Sequence, residues 1–141
     1  MYFDTSYIAK FYFNEPESSR VRDLVRRADA IFSSVWAFAE FHAVLHRRLR
    51  EGGHSRSEVN DLASRFSDHL DDGLWNLIPV NEALLRRTGA LIASAPEDLF
   101  VRTADAVHLT TAFEAGEREV WTNDRHMLAA ATYFGLSGRS V

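Results

Sequence analysis

Four acidic side chains stand at positions that the local sequence pattern does not explain: Asp4, Glu40, Asp105 and Asp124. Asp4 directly follows the apolar run 1–3, and Asp124 comes just after the apolar run 120–122. If these runs form neighbouring parallel strands, their carboxyl ends meet at one edge of the sheet, where open α/β proteins bind ligands. Each aspartate could instead cap the helix that follows its strand. The pair is therefore a candidate site at a sheet edge, with helix capping as the alternative.

Glu40 lies in the middle of an apolar helical stretch, residues 36–45. Its neighbours three and four positions away are Trp36, Ala37, Ala43 and Val44, so its own helix offers it no basic partner. A partly buried carboxylate without a local partner must be paired across the fold or bound to a cation. Glu40 is therefore a candidate functional residue.

Asp105 falls in the first turn of a predicted helix that begins at Thr103. An acid is also stabilised there by the positive end of the helix dipole, so a structural explanation exists. Arg102 and His108 lie three residues to either side, which places a phosphate-binding cation and an imidazole on the same face. We interpret His108 itself as a supporting or structural side chain rather than a ligand.

Brought together, the four carboxylates would raise one another's pKa and destabilise the fold unless a cation offset their charge. Carboxylate-rich sites with only oxygen ligands suit Mg²⁺ or Mn²⁺. Such a cation lowers the pKa of a water molecule and offsets charge during attack on a phosphodiester bond. The pattern favours metal-assisted phosphodiester hydrolysis, with all four acids as metal ligands and catalytic residues.

The elements that would carry these residues alternate between short strands and helices. Apolar runs at 1–3, 31–33, 75–80 and 120–122 predict strands, and helical spacing fills the segments between them. The last helix is predicted over 125–134, and the tail from Leu136 can add an edge strand. Crossover helices imply a parallel sheet covered on both faces. We expect an α/β fold, a three-layer α/β/α sandwich around a central parallel sheet, with residues 1–141 as a single domain.

The composition of the chain excludes several classes of protein. Its 141 residues are 46% hydrophobic and 26% charged, which is an ordinary globular balance. It contains no cysteine, so disulfides, thiolate metal sites and cysteine nucleophiles are excluded. No apolar run reaches the length of about 18 residues that a membrane helix needs. We therefore expect a cytoplasmic protein without a membrane partner.

Four stretches, taken in order, resemble the motifs of PIN-domain ribonucleases: residues 3–8, the isolated Glu40, residues 102–109 and residues 121–124. Within that family the chain is similar to the VapC toxins of bacterial toxin–antitoxin pairs, over nearly its whole length. The resemblance implies a PIN-like fold and endonucleolytic hydrolysis of RNA by a metal-activated water. It also implies that the four acids named above hold Mg²⁺ or Mn²⁺.

The resemblance further implies partners and supporting residues. Members of the family are usually homodimers that a cognate antitoxin, here of the VapB type, holds inactive. Thr5, Ser6 and Thr122 would supply hydroxyl groups to the metal or to a phosphate, and Arg102 would contact a phosphate. Two basic clusters are candidate contacts for RNA phosphates: Arg20, Arg22, Arg26 and Arg27, or Arg47, Arg48 and Arg50.

Two alternatives to a ribonuclease stay open from the sequence. A phosphatase of the haloacid-dehalogenase type also places a nucleophilic aspartate after its first strand, but it needs a second aspartate where Ser6 stands. A catalytically inactive PIN-like module would only bind a partner, and it would not need all four acids.

Overall fold

The computed structural model describes residues 1–141 and is built on five short strands. These strands are β1 (Tyr2–Phe3), β2 (Phe32–Ser34), β3 (Asn76–Ile78), β4 (Glu119–Trp121) and β5 (Ser137–Arg139). They form a single sheet in the order β3-β2-β1-β4-β5, and every neighbouring pair is parallel. The predicted α/β fold with a central parallel sheet is confirmed.

Seven helices connect the strands and cover the sheet. They are α1 (Thr5–Tyr12), α2 (Ser18–Arg27), α3 (Trp36–Arg50), α4 (Arg56–Asp71), α5 (Glu82–Ala93), α6 (Thr103–Glu114) and α7 (Arg125–Ala130). None of these helices is both long and apolar enough to cross a membrane.

The two residues of β1 show how the sheet separates two hydrophobic cores. Successive side chains of a strand point to opposite faces. Phe3 lies in the core formed with α1 to α4, together with Phe41 of α3. Tyr2 lies in the core on the other face, together with Leu109 of α6 and Met127 of α7. Helices therefore bury both faces of the sheet, as the three-layer prediction requires.

The carboxyl ends of β1 and β4 lie side by side. Phe3 is paired with Trp121 across the two strands, so Asp4 and Thr122 come next at the same edge. The backbone N–H of Asp4 donates to the carbonyl of Trp121 at 3.1 Å. β2 ends at the same edge, and α3 begins two residues after it. This edge is where the predicted site residues gather.

The predicted last helix is too long. α7 ends at Ala130, and residues 131–135 form turns instead. Gly135 takes a left-handed conformation with φ of 79°, and the N–H of Leu136 donates to the carbonyl of Ala131 at 2.9 Å. These contacts reverse the direction of the chain so that it can enter β5. Helical periodicity alone does not predict this reversal.

Candidate active site

One cavity of about 620 Å³ opens at the carboxyl edge of the strands. All four predicted acids line it, and α1, α3, α6 and the start of α7 supply its other walls. Its charged and hydroxyl-bearing lining residues are Asp4, Thr5, Ser6, Lys10, Glu15, Glu40, His46, Arg47, Arg48, Arg50, Arg102, Asp105, His108 and Asp124. The fold therefore brings the four acids to one place, although they are scattered along the chain.

Asp4 is the most deeply placed of the four acids, with 6% of its surface exposed. The Ser6 hydroxyl donates to both of its carboxylate oxygens, at 2.7 and 2.9 Å, and the Thr122 hydroxyl donates to Oδ2 at 2.6 Å. The N–H of Tyr7 donates to Oδ1 at 3.0 Å, so Asp4 also caps α1. Burial nevertheless raises the pKa of Asp4 above its ordinary value, since these hydrogen bonds offset only part of the desolvation.

Glu40 has its partners on other elements, as its isolation in the sequence predicted. The Nε2 atom of His108 lies 2.8 Å from Glu40 Oε2, and the Thr5 hydroxyl donates to the same oxygen. Because a carboxylate only accepts, Nε2 carries the proton. Burial raises the pKa of Glu40, but the hydrogen bond and charge of His108, together with Thr5, outweigh burial and leave this pKa below its ordinary value.

His108 is itself buried and held at its second ring nitrogen. The hydroxyl of Tyr2 lies 2.9 Å from His108 Nδ1 and donates to it when the ring is neutral. Tyr2 is fully buried, and this burial raises the pKa of its hydroxyl far above the ordinary value. A chain of side chains from Tyr2 through His108 thus fixes the orientation of Glu40.

Asp105 lies in the first turn of α6, as predicted, and differs from the other acids in its hydrogen bonding. Its Oδ2 atom is buried and has no hydrogen-bond partner. Burial raises the pKa of Asp105, and the neighbouring charges of Asp124 and Asp4 raise it further. A buried, unpaired carboxylate oxygen close to two other acids is costly unless a cation binds there.

Asp124 carries out the capping role that the sequence left open and also lines the cavity. Its Oδ1 atom accepts from the N–H groups of His126 and Met127, at 2.7 and 3.2 Å, which caps α7. Its Oδ2 atom lies 3.5 Å from Nη1 of Arg102, whose side chain is 58% exposed. Capping and a place in the site are therefore compatible for this residue.

The donor set of the cavity fits a hard divalent cation. Its acidic groups are all oxygen donors, and Asp105 presents one buried oxygen that no protein group uses. No group of three or more histidine, aspartate or glutamate side chains is arranged to hold a metal ion as the structure stands. Hydrogen bonds within the protein occupy Asp4, Glu40 and Asp124. The four acids thus surround one cavity without forming a finished ligand set.

The predicted supporting hydroxyl groups orient carboxylates. Thr5 donates to Glu40, while Ser6 and Thr122 donate to Asp4. The Oγ1 atom of Thr122 also accepts from the N–H of Asp124 at 2.9 Å, so it links two of the acids.

The two basic clusters differ in their relation to the cavity. Arg47, Arg48 and Arg50 line it, whereas none of the arginines of α2 does. Arg22 donates to the carbonyls of Phe11 and Phe13, and Arg26 pairs with Asp23 within its own helix. The cluster on α3 is therefore the better placed of the two candidates.

Sequence reasoning missed two groups that help to form the site. The first is the hydroxyl of Tyr2, which nothing in the sequence links to His108. Lys10 lines the cavity, and its Nζ atom lies 2.8 Å from Glu17 Oε2. Helical spacing from Glu40 was a usable signal for Arg47, which lies seven residues further along α3.

Comparisons with known proteins identify the family. Residues 1–132 match the family model of the PIN domain. Ribonuclease VapC46 of Mycobacterium tuberculosis is 33% identical over 139 residues, which cover 97% of this chain and 94% of that protein. This level of similarity over nearly the full length shows a shared family.

Solved structures show the same fold. The Mycobacterium tuberculosis toxin VapC20, described as cleaving the sarcin–ricin loop, superposes with a TM-score of 0.71 at 19% identity, covering 92% of this chain and 93% of that one. A chain from the structure of FitAB bound to the IR36 DNA fragment gives a TM-score of 0.71 at 17% identity, covering 99% of this chain and 93% of that one. The family match excludes the haloacid-dehalogenase alternative. The chain belongs to the PIN-domain family, as a homologue of the VapC-type ribonucleases.

Proposed function

We propose that this chain, acting as a single domain over residues 1–141, is an endoribonuclease that hydrolyses RNA phosphodiester bonds with Mg²⁺ or Mn²⁺ held by Asp4, Glu40, Asp105 and Asp124. The observation that carries the proposal is the buried Oδ2 atom of Asp105, which has no protein partner and lies near two further acids. Nucleases of the PIN family generally depend on a metal ion. The similarity to Ribonuclease VapC46 supports RNA as the substrate.

A bound Mg²⁺ or Mn²⁺ supplies Lewis acidity, which lowers the pKa of water and offsets negative charge on the phosphate. The protein's own side chains set the geometry for this chemistry. Ser6 and Thr122 fix the rotamer of Asp4, and Thr5 and His108 fix that of Glu40. Preorganised carboxylates need little rearrangement at the moment of reaction, which is how such sites lower a barrier.

Arg102 is the group at this end of the cavity that suits a substrate phosphate. Its guanidinium is more than half exposed and lies only at the limit of contact with Asp124. A guanidinium can bind a phosphate with two parallel hydrogen bonds. We assign to Arg102 the positioning of the phosphate next to the four acids.

The biological role that fits this activity is that of a toxin in a VapBC-type toxin–antitoxin pair, in the cytoplasm. The VapC relatives support this role, and we propose a cognate VapB-like antitoxin and a homodimer as partners. Trp36 and Phe38 at the start of α3 are 40% and 43% exposed, so apolar surface is available to a partner.

Incubation of the purified protein with total RNA tests the proposal. We expect new RNA ends with Mg²⁺ or Mn²⁺, mapped by sequencing, and none after EDTA treatment or with Asp105→Asn. Restoring the metal should restore cleavage by the wild-type protein alone. Cleavage that persists in EDTA would contradict the role of the metal. RNA or antitoxin binding without any cleavage would instead support an inactive PIN-like binding module.

A further inference from the structure

We propose that Arg47 and Arg50 form a second phosphate-binding subsite in the same cavity, which holds an RNA strand several nucleotides from the bond that is cut. We call this pair the α3 arm. The inference rests on the proposed RNA substrate and adds where, and over what length, the strand lies. It therefore assigns a binding role to residues outside the four acids.

The register of α3 places the arm in line with the acidic centre. Glu40, Val44, Arg47 and Arg50 follow one another at spacings of three or four residues, and all of them line the cavity. With a helical rise of 1.5 Å per residue, Arg47 and Arg50 lie about 10 and about 15 Å from Glu40 along the axis. A stacked strand rises about 3.4 Å per nucleotide, so this distance spans about three to four nucleotides.

The two arginines of the arm are free to bind a ligand, and the neighbouring cations are not. Arg48 pairs with Glu15 and lies over the ring of Phe13 at 4.9 Å. Lys10 is held by the carbonyl of Pro16 and by Glu17, each at 2.8 Å. The side chains of Arg47 and Arg50 are exposed and make no hydrogen bond or ion pair. Their charge is therefore uncompensated by any contacting acid.

The charge pattern of the cavity suits a polyanion that crosses it lengthwise. The chain carries a net charge of −4, so the protein as a whole does not attract RNA. One end of the cavity holds the four acids, and the α3 arm supplies positive charge at increasing distance from them. A fifth carboxylate, Glu15, also lines the cavity, but Arg48 offsets its charge. A strand whose reacting phosphate lies at the acids can place later phosphates at the arm, where arginine can bind each with two hydrogen bonds.

The arm predicts a specific salt dependence of RNA binding. We would measure fluorescence anisotropy of a labelled ten-nucleotide single-stranded RNA, in Mg²⁺ and over a range of KCl concentrations. All proteins compared also carry Asp105→Asn, which prevents cleavage of the RNA during the measurement. Each phosphate contact on a single strand contributes about 0.7 to the slope of log affinity against log salt, so Arg47→Gln with Arg50→Gln should lower the slope by about 1.4. Since the two lines should meet near about 1 M salt, the affinity should fall about tenfold at about 0.2 M KCl and by more at lower salt.

The matched control is Arg20→Gln with Arg27→Gln. These arginines are also exposed, also lack ion pairs and belong to the other basic cluster, and Arg27 ends α2 as Arg50 ends α3. The control changes the net charge equally, and we expect it to leave slope and affinity unchanged. A dinucleotide is too short to reach the arm, so the Arg47 and Arg50 changes should not alter its binding.

Three results would overturn the inference. The first is an unchanged slope in the arm variant, and the second is an equal loss in the control. The third concerns a poly-glutamate peptide, which serves as a probe for an acidic protein partner. If the arm variant bound this peptide more weakly than the wild type but bound RNA equally well, the arm would be assigned to such a partner.

Failure of the proposed function is distinguishable from failure of the arm. If the protein with all four acids cuts no RNA, the proposed nuclease activity is contradicted. If the salt slope nevertheless falls in the arm variant, the subsite is still supported. Cleavage together with an unchanged slope contradicts the subsite alone.

Discussion

The Nε2 atom of His108 lies 2.8 Å from the Oε2 atom of Glu40, and this contact joins α6 to α3 across 68 residues of sequence. The other ring nitrogen of His108 is hydrogen-bonded to the buried Tyr2, so the imidazole has a fixed orientation and holds the Glu40 carboxylate in place in the cavity. The contact explains how an acid without a partner on its own helix keeps one orientation.

His108→Ala is expected to weaken Mn²⁺ binding and RNA cleavage, because Glu40 loses the donor that orients it. The unpaired groups left behind should cost about 1–3 kcal/mol in the free energy of unfolding. His108→Gln keeps an N–H donor of similar reach and should recover much of the Mn²⁺ affinity. Calorimetric titration with Mn²⁺ checks both variants. Equal Mn²⁺ affinity in His108→Ala and His108→Gln would contradict the role of His108 in positioning Glu40.

Asp105→Asn should leave the metal-free protein as stable as the wild type or more stable, since the change removes a buried charge near two other acids. The wild type should gain about 2.7 kcal/mol of stability at a Mn²⁺ concentration of 100 times Kd, and the variant far less. Thermal unfolding with Mn²⁺ and with EDTA measures both effects. Asp98→Asn, an exposed neighbour outside the cavity, is the control and should respond to Mn²⁺ as the wild type does.

The pH dependence of stability should have opposite signs for two of the acids in EDTA. The folded-state pKa of Glu40 lies below its ordinary value of 4.5, so its stabilising contribution is present above 4.5 and is lost as the pH falls through the lowered pKa. The pKa of Asp105 lies above its ordinary value of 3.8, so its cost is absent at low pH and grows as the pH rises from 3.8 through the raised pKa.

Denaturant unfolding from pH 3 to pH 7 tests these signs. The deficit of Glu40→Gln relative to the wild type should shrink as the pH falls. The advantage of Asp105→Asn should grow as the pH rises. The free energy of unfolding of each variant minus that of the wild type should therefore fall with rising pH for Glu40→Gln and rise for Asp105→Asn. If both differences changed with pH in the same direction, the local environments of these carboxylates would be assigned wrongly.

Arg102→Gln should weaken RNA binding without lowering the affinity for Mn²⁺, because Arg102 is assigned to the substrate phosphate. Arg86→Gln is a suitable comparison, since Arg86 is also exposed and also pairs with a carboxylate, Glu82, but lies outside the cavity. RNA anisotropy and Mn²⁺ titration of both variants separate the two effects. Unchanged RNA affinity in Arg102→Gln would remove this residue from the substrate site.

Much of the fold and of the acid set could be predicted because the signals are local. Asp4 and Asp124 follow apolar strands, and parallel pairing alone brings such positions to one edge. Glu40 is identifiable because its own helix offers it no basic partner. Each of these inferences depends on a few neighbouring residues and on general rules for sheets and helices.

The other features of the site could not be predicted because they depend on contacts between elements that are distant in sequence. Whether an arginine of α3 is free is decided by Glu15, which lies far from Arg48 in sequence and pairs with it in the fold. The link from Tyr2 to His108 spans 106 residues and crosses from β1 to α6. Side-chain pairing over such separations follows from packing, which sequence spacing does not encode.

Crystals soaked in Mn²⁺ offer the clearest check on whether the four acids share one cation. Anomalous scattering at the manganese edge locates the ion independently of the protein's electron density. We expect one strong peak in the cavity, in contact with Asp105 Oδ2 and with oxygens of the other three acids or waters bound to them, and no peak in Asp105→Asn. A peak elsewhere on the molecule, or an empty cavity at saturating Mn²⁺, would contradict the proposed site.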